Sequence, residues 1–375
     1  MNPLGVTPST RRRVPAAALA LAAALALALG VGQHAFLGAA PSPLVAASDP
    51  RFLYEGRFDF ANRSAPVTIW QGSRIRIDFD GGSLGLRFGE PTDQCFFNAE
   101  IDGSTSVVEL RRGSAPKGAA FTGLGAGRHS LVLFKRSEAS AGTVPFLGVD
   151  LAAGARAWAP RAPHYRLAME FIGDSITVGA CDEDGAQDQW DDRRTHDNAL
   201  SYAALTAGAF EADYRNIAVS GMGVAAGWVG LTAGEAWDAL YPSAESPRAD
   251  ASSWRPDVIL VNLGENDVSF PRAHHQPFPP SYTSAYVSLV RAIRSTHPLA
   301  EIVMVRGGMF GGARSAELRS AWEAAVSQVE AGDRRACHFV FSHWTMNHPR
   351  VADHRALANE LESWLRVQPF MRPFL

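Results

Sequence analysis

Lysine is almost missing from this chain. Of its 35 basic residues, all but Lys117 and Lys135 are arginine. The sequence is also rich in alanine, so this reads as coding bias and points to no partner. Charge of one sign is missing too. The formal net charge is −3, which excludes a broad electrostatic nucleic-acid binder. Cysteine is scarce. Cys95, Cys181 and Cys337 allow at most one bridge and leave a thiol over. None has a second cysteine within ligand spacing, so no metal site is predicted and the three read mainly as small buried hydrophobes. There is no internal repeat. What is present is globular: 46% hydrophobic and 19% charged residues exclude general disorder, collagen-like and coiled-coil architectures. A length of 375 residues suggests two domains.

Residues 1–47 read as an export signal. Arg11, Arg12 and Arg13 form a basic start, an apolar run covers residues 14–31, and small residues follow at Gly38-Ala39-Ala40 and Val45-Ala46-Ala47. That order is the mark of a cleavable signal peptide. It predicts a secreted or periplasmic protein that meets a membrane only if the segment stays uncleaved, since the run approaches a spanning length. Thr10-Arg11-Arg12 is a weak twin-arginine pattern. No cysteine lies near the cleavage sites, which argues against a lipid-modified N-terminus.

Residues 48–153 carry short alternating runs. Arg74-Ile75-Arg76-Ile77-Asp78-Phe79-Asp80 is the cleanest, a half-buried strand. Asp80-Gly81-Gly82 and Asp102-Gly103-Ser104 punctuate such runs, and even spacing predicts a β-sandwich. Residues 154–164, rich in Ala, Pro and Arg, read as a linker. From 165 to 375 the pattern changes. Apolar runs at 167–173, 214–219, 258–264, 302–305 and 338–341 alternate with helical segments at 199–210, 282–295, 314–330 and 351–365. This predicts a parallel sheet covered on both faces, with functional groups at the carboxyl ends of its strands.

Four blocks fall at such ends or late in the chain. Gly173-Asp174-Ser175-Ile176-Thr177 places a serine hydroxyl after a tight turn, and such a hydroxyl needs a base to act as nucleophile. Ser220-Gly221-Met222-Gly223 offers backbone N–H donors, and Gly264-Glu265-Asn266-Asp267 a side-chain amide, both suited to a developing oxyanion. Asn347-His348-Pro349 precedes the last helix and supplies a base, with His343 and His354 as competitors. Taken singly, each of the first three blocks reads more readily as a turn, and His348 as a structural histidine.

In this order the blocks resemble the SGNH, or GDSL, hydrolase superfamily. The likeness covers about Tyr165 to the C-terminus and implies a three-layer α/β/α domain with a parallel sheet. It implies Ser175 as nucleophile, His348 as general acid and base, and an oxyanion hole from the Ser175 N–H, the Gly221 N–H and the Asn266 amide, with Gly223 a less apt substitute for Gly221. A preceding β-sandwich, jelly-roll-like, is similar to carbohydrate esterase family two. That implies a secreted serine esterase removing O-acetyl groups from polysaccharides of xylan or mannan type through an acetyl-serine intermediate. It implies no metal and no organic cofactor. The alternatives are a lipase or lysophospholipase on the same fold, and a carbohydrate-binding protein with a degenerate site. Lack of a long apolar stretch near the blocks speaks against the lipid enzymes.

The chain departs from the family in one respect. Family members often carry an Asp two or three residues before the histidine, and here Thr345 and Met346 stand there. A Ser175–His348 dyad follows, its imidazole oriented by a backbone carbonyl, Thr345 or Asn347. Glu265 is expected to point to solvent or to an arginine. The acid-rich stretch 182–197 reads as a solvated loop rimming the site more than as a cation loop. Trp190, Trp228 and Trp344 are candidate sugar platforms, Trp344 most of all for its nearness to His348.

Overall fold

The structure, a computed structural model, describes residues 43–375. Most of residues 1–47, read as an export signal, lies outside the described residues. Its last part does not: Leu44–Ala46 is a strand pairing antiparallel with Val144–Leu151, and Val45 and Ala47 are buried. Among the described residues, no helix is long and apolar enough to cross a membrane.

The N-terminal half forms two antiparallel sheets. One runs Phe58–Asp59, Val67–Thr68, Val144–Leu151, Ser83–Phe88, Ala120–Thr122, with Leu44–Ala46 also on Val144–Leu151. The other runs Ala157–Trp158, Arg74–Asp80, Arg128–Lys135, Gln94–Ile101, Ser104–Arg111, with Leu53–Glu55 also on Arg74–Asp80. Strand periodicity builds the core between them. Ile75, Ile77 and Phe79 point inward while Arg76 and Asp78 point out. They meet Phe97, Leu131, Leu133, Phe146 and Val149. Residues 154–164, read as a linker, include a two-residue strand, Ala157–Trp158, on this sheet.

The second half is a five-stranded parallel sheet in the order Asp213–Ala218, Ala168–Gly173, Val258–Asn262, Glu301–Met309, Ala336–Thr345. Alternate residues of each strand feed opposite faces. Met169, Phe171, Leu260 and Val303 pack beneath Tyr202–Ala209 and Val351–Arg366. Ile172, Ile259, Val261, Ile302 and Met304 pack beneath Tyr282–Thr296 and Ala316–Glu330. Covering both faces is what lets central strands be apolar throughout.

The two halves share a core. Ile69, Trp70 and Ala139 of the sandwich pack in the same cluster as Ile217, Val219 and Met222. Polar groups reinforce this contact. Trp70 Nε1 donates to Leu240 O (2.8 Å), and Arg57 pairs with buried Glu170 (3.2 Å). Arg74 pairs with Asp213 (2.9 Å).

Candidate active site

Ser175 opens a four-residue helix, Ser175–Val178, directly beyond the strand Ala168–Gly173. Asp174 caps it by accepting the Ile176 N–H (3.1 Å). Gly173 is obligatory by close approach: a Cβ there would lie 2.1 Å from Thr177 Oγ1. The chain therefore turns at once, and the hydroxyl stands at the sheet's carboxyl edge.

His348 arrives from the segment before the last helix. Its Nε2 lies 2.8 Å from Ser175 Oγ. Its Nδ1 lies 2.7 Å from Asp188 Oδ2, and its backbone N–H donates to the same oxygen (3.3 Å). A carboxylate only accepts, so Nδ1 carries the proton and Nε2 is free to accept from the Ser175 hydroxyl. The expectation of a bare dyad is thereby corrected. The third member comes from the loop after the Gly173-Asp174-Ser175 block, not from the residues before His348. Arg350 anchors the arrangement: its Nη2 is 2.8 Å from Asp188 Oδ1, and its Nη1 donates to Cys181 O (3.0 Å) and His348 O (2.9 Å). Burial would raise the Asp188 pKa. The hydrogen bond and charge of His348, with Arg350, outweigh it and hold the carboxyl well below the usual range.

The other histidines are occupied elsewhere. His343 Nε2 meets Asp353 Oδ1 (2.8 Å). His354 is fully buried, its Nδ1 accepts the Tyr202 N–H (3.1 Å), and burial pushes its pKa down to about 3.

Gly221 sits at φ +83°, a left-handed turn after the strand Asp213–Ala218, and it lines the cleft. Among the described residues its N–H has no protein acceptor. Gly223 does not line the cleft. It belongs to the turn that Asp267 ties by accepting the N–H groups of Val224 (2.8 Å), Ala225 (2.7 Å) and Ala226 (2.9 Å). Asn266, on the first turn of Glu265–Ala273, donates through Nδ2 to Met222 O (2.9 Å) and more loosely to Asp174 Oδ2 (3.3 Å). Asn266 also lines the cleft. Burial, with Glu265 and Asp267 nearby, pushes the Asp174 pKa up to about 8, against the Ile176 N–H that lowers it.

Glu265 points neither to solvent nor to an arginine. It is half-buried at the cleft wall and accepts the N–H groups of Gly311 (3.1 Å) and Gly312 (2.8 Å), and partial loss of hydration raises its pKa. The helix Glu265–Ala273 lies outside the four expected helical segments, with Pro271 tolerated in its last turn.

These groups face a cleft of about 630 Å³. Trp190 and Trp228 line it, 38% and 53% exposed, and Trp190 sits edge-on to His348 (5.0 Å between rings). Trp344 does not line it. That ring packs on Phe310 (6.0 Å) beneath Arg314 (5.6 Å), because the strand Ala336–Thr345 directs it away. Nor is the 182–197 loop simply solvated: Asp182 and Asp197 are buried and Asp188 belongs to the site. Cys181, Asp184 and His196 bring a sulfur, a carboxylate oxygen and a ring nitrogen within 4.8 Å of one another, but these donors are already committed. Asp184 accepts from Gln189 and Thr195, and His196 Nε2 lies 3.1 Å from Gln189 O. All three cysteines are free, Cys95 and Cys181 buried and Cys337 partly so.

Fold and site together define an SGNH-type α/β/α domain whose serine is linked to a histidine and a carboxylate, behind an antiparallel β-sandwich. The chain belongs to the GDSL-like Lipase/Acylhydrolase family, which its residues 171–363 match, and residues 54–163 match the Carbohydrate esterase 2 N-terminal family. It is 31% identical over 341 residues to Cellulase/esterase CelE of Acetivibrio thermocellus, covering 85% of this chain but only 39% of that longer protein. It is 27% identical to an Acetylxylan esterase / glucomannan deacetylase of Cellvibrio japonicus, over 82% of this chain and 87% of the relative. A family two carbohydrate esterase from Clostridium thermocellum, solved with cellohexaose, superposes with a TM-score of 0.75 at 29% identity, over 84% of this chain and 98% of that one.

Proposed function

We propose that this protein is a serine esterase that removes O-acetyl groups from polysaccharides of xylan or mannan type. The observation that carries the reading is the hydrogen-bonded line Ser175–His348–Asp188, opening on a cleft beside the Gly221 N–H and the Asn266 amide. His348 takes the Ser175 proton as Oγ attacks the acetyl carbonyl. Asp188 keeps the ring in the required tautomer and balances the imidazolium. The Ser175 and Gly221 N–H groups with the Asn266 amide receive the oxyanion. His348 then protonates the departing sugar hydroxyl, and water releases acetate by the same route. Trp190 and Trp228 flank the serine as faces for sugar rings. The relatives named acetylxylan esterase and the esterase solved with cellohexaose support this substrate class. A degenerate binding protein loses its main motive once Asp188 stands beside His348.

The test is acetate release from acetylated xylan and acetylated glucomannan by the parent protein and by Ser175→Ala. Release that vanishes in a folded variant is expected. Undiminished release removes Ser175 from the role. Export belongs to the same proposal, with cleavage at Gly38-Ala39-Ala40, because cleavage after Ala47 strips the buried strand Leu44–Ala46. N-terminal sequencing of exported protein beginning at residue 48 refutes that site.

A further inference from the structure

The sandwich lends the site a side chain. Glu138, from the loop after the strand Arg128–Lys135, is wholly buried yet borders the cleft. Its Oε2 accepts the N–H of Ser220 (2.9 Å), the residue before Gly221. Its Oε1 accepts from Arg193 Nη1 (3.0 Å). The Arg193 guanidinium lies over the Trp190 ring (4.8 Å), and Trp190 is the ring that sits on His348. One carboxylate thus reaches both sides of the nucleophile.

We propose that Glu138 is a positioning residue through which the β-sandwich holds the Gly221 oxyanion donor and the Arg193–Trp190 wall in catalytic register. The inference rests on the esterase reading above and adds a function for the N-terminal half within it. The surroundings of Glu138 are built for rigidity. Lys135, itself buried, donates to Ser137 O (2.9 Å) and Glu138 O (3.1 Å), which shapes the loop from below. Gln71 accepts the Ala139 N–H (3.0 Å) and donates to Asn216 Oδ1 (2.7 Å) and Ala218 O (2.8 Å). The strand end and the turn after it are therefore gripped by the sandwich at Asn216, Ala218 and Ser220 in succession. Gly221 comes next, and a left-handed glycine has no side chain of its own to hold its N–H on target. Arg193 also neutralises Glu138. A bare buried carboxylate one residue from a developing oxyanion would oppose it.

The experiment compares Glu138→Ala and Glu138→Gln with the parent protein on p-nitrophenyl acetate. Active sites are counted by titration with a fluorophosphonate, and melting temperature is recorded. The Ala variant loses both contacts, and kcat per titrated site is expected to fall about 10²-fold with KM within about 3-fold, the scale of an ångström misplacement. The Gln variant keeps an oxygen for the Ser220 N–H and turns its NH₂ towards Arg193, which loses both its charge partner and its acceptor. A fall of about 5- to 10-fold is expected there. A lower melting temperature with kcat per site unchanged in the Ala variant overturns the inference. If the Ala variant does not fold, unchanged kcat in the Gln variant overturns it. Ser175→Ala is run alongside. Activity persisting in Ser175→Ala sinks the esterase reading itself. Activity lost there but intact in both Glu138 variants sinks only the role of Glu138.

Discussion

Replacing Asp188 by Asn probes the site most sharply, because Arg350 dictates how the amide must lie. The guanidinium, 2.8 Å from Oδ1, takes the amide oxygen. The amide NH₂ then faces His348 Nδ1, where Oδ2 now sits at 2.7 Å. Nδ1 becomes an acceptor and Nε2 carries the proton, so the ring cannot accept from Ser175. Charge is lost as well. Opposite unit charges about 4 Å apart attract by about 4 kcal/mol at an effective dielectric of about 20. The existing pairing with Arg350 leaves about half of that, roughly 2 kcal/mol or 30-fold. Adding the wrong tautomer, kcat on p-nitrophenyl acetate is expected to fall about 10³-fold or more, towards the 10⁴ of a triad amide swap. Asp188→Ala, which admits water beside Nδ1 and forces no tautomer, is expected to lose less than the Asn variant. The assay is steady-state kcat for both variants at one pH. Rates within about 3-fold of the parent, or an Asn variant faster than the Ala variant, refute the reasoning and restore a working dyad.

Two further outcomes are open to measurement. Asp182 is buried, its Oδ1 accepts the Asp197 N–H (2.9 Å), and burial pushes its pKa up to about 9. An acid with a raised folded pKa lets the unfolded chain ionise first, so stability declines as pH rises from about 4 towards 9. Asp182→Asn is expected to gain stability relative to the parent progressively between pH 5 and 9, and a melting-temperature difference constant across that range refutes the assignment. Trp228→Ala is expected to raise KM for the acetylated polymer about 3- to 10-fold with kcat on p-nitrophenyl acetate unchanged. Trp344→Ala, whose ring lies outside the cleft, is expected to leave both alone, and the reverse pattern would restore Trp344 as the platform.

Local sequence carried most of the architecture. Alternating Ile75, Ile77 and Phe79 mark a half-buried strand, and the apolar runs ending at Gly173 and Asn262 mark central parallel strands, because side-chain periodicity maps directly onto buried faces. Elements whose local signal conflicts with their state were less legible. Glu265–Ala273 holds a proline and few apolar residues, and its helical state depends on where Asn266 and Asp267 are anchored.

By its order of Ser175, Gly221, Asn266 and His348 the sequence determined the class of fold and pointed to the residues of the proposed site. Each of these sits at a strand end or helix start, where chain geometry is local. Tertiary structure alone decided the rest. Asp188 lies 160 residues before the imidazole it orients, within a stretch of acids that look alike in sequence. Trp344, near His348 in the chain, is turned away by the pleat of its strand, while Trp190 reaches the ring through a loop. Glu138 belongs to the other half of the protein and meets the site only because the sandwich shares its core. Hydrogen bonds and charges act over a few ångströms of space, and which residues come that close is set by packing, not by distance along the chain.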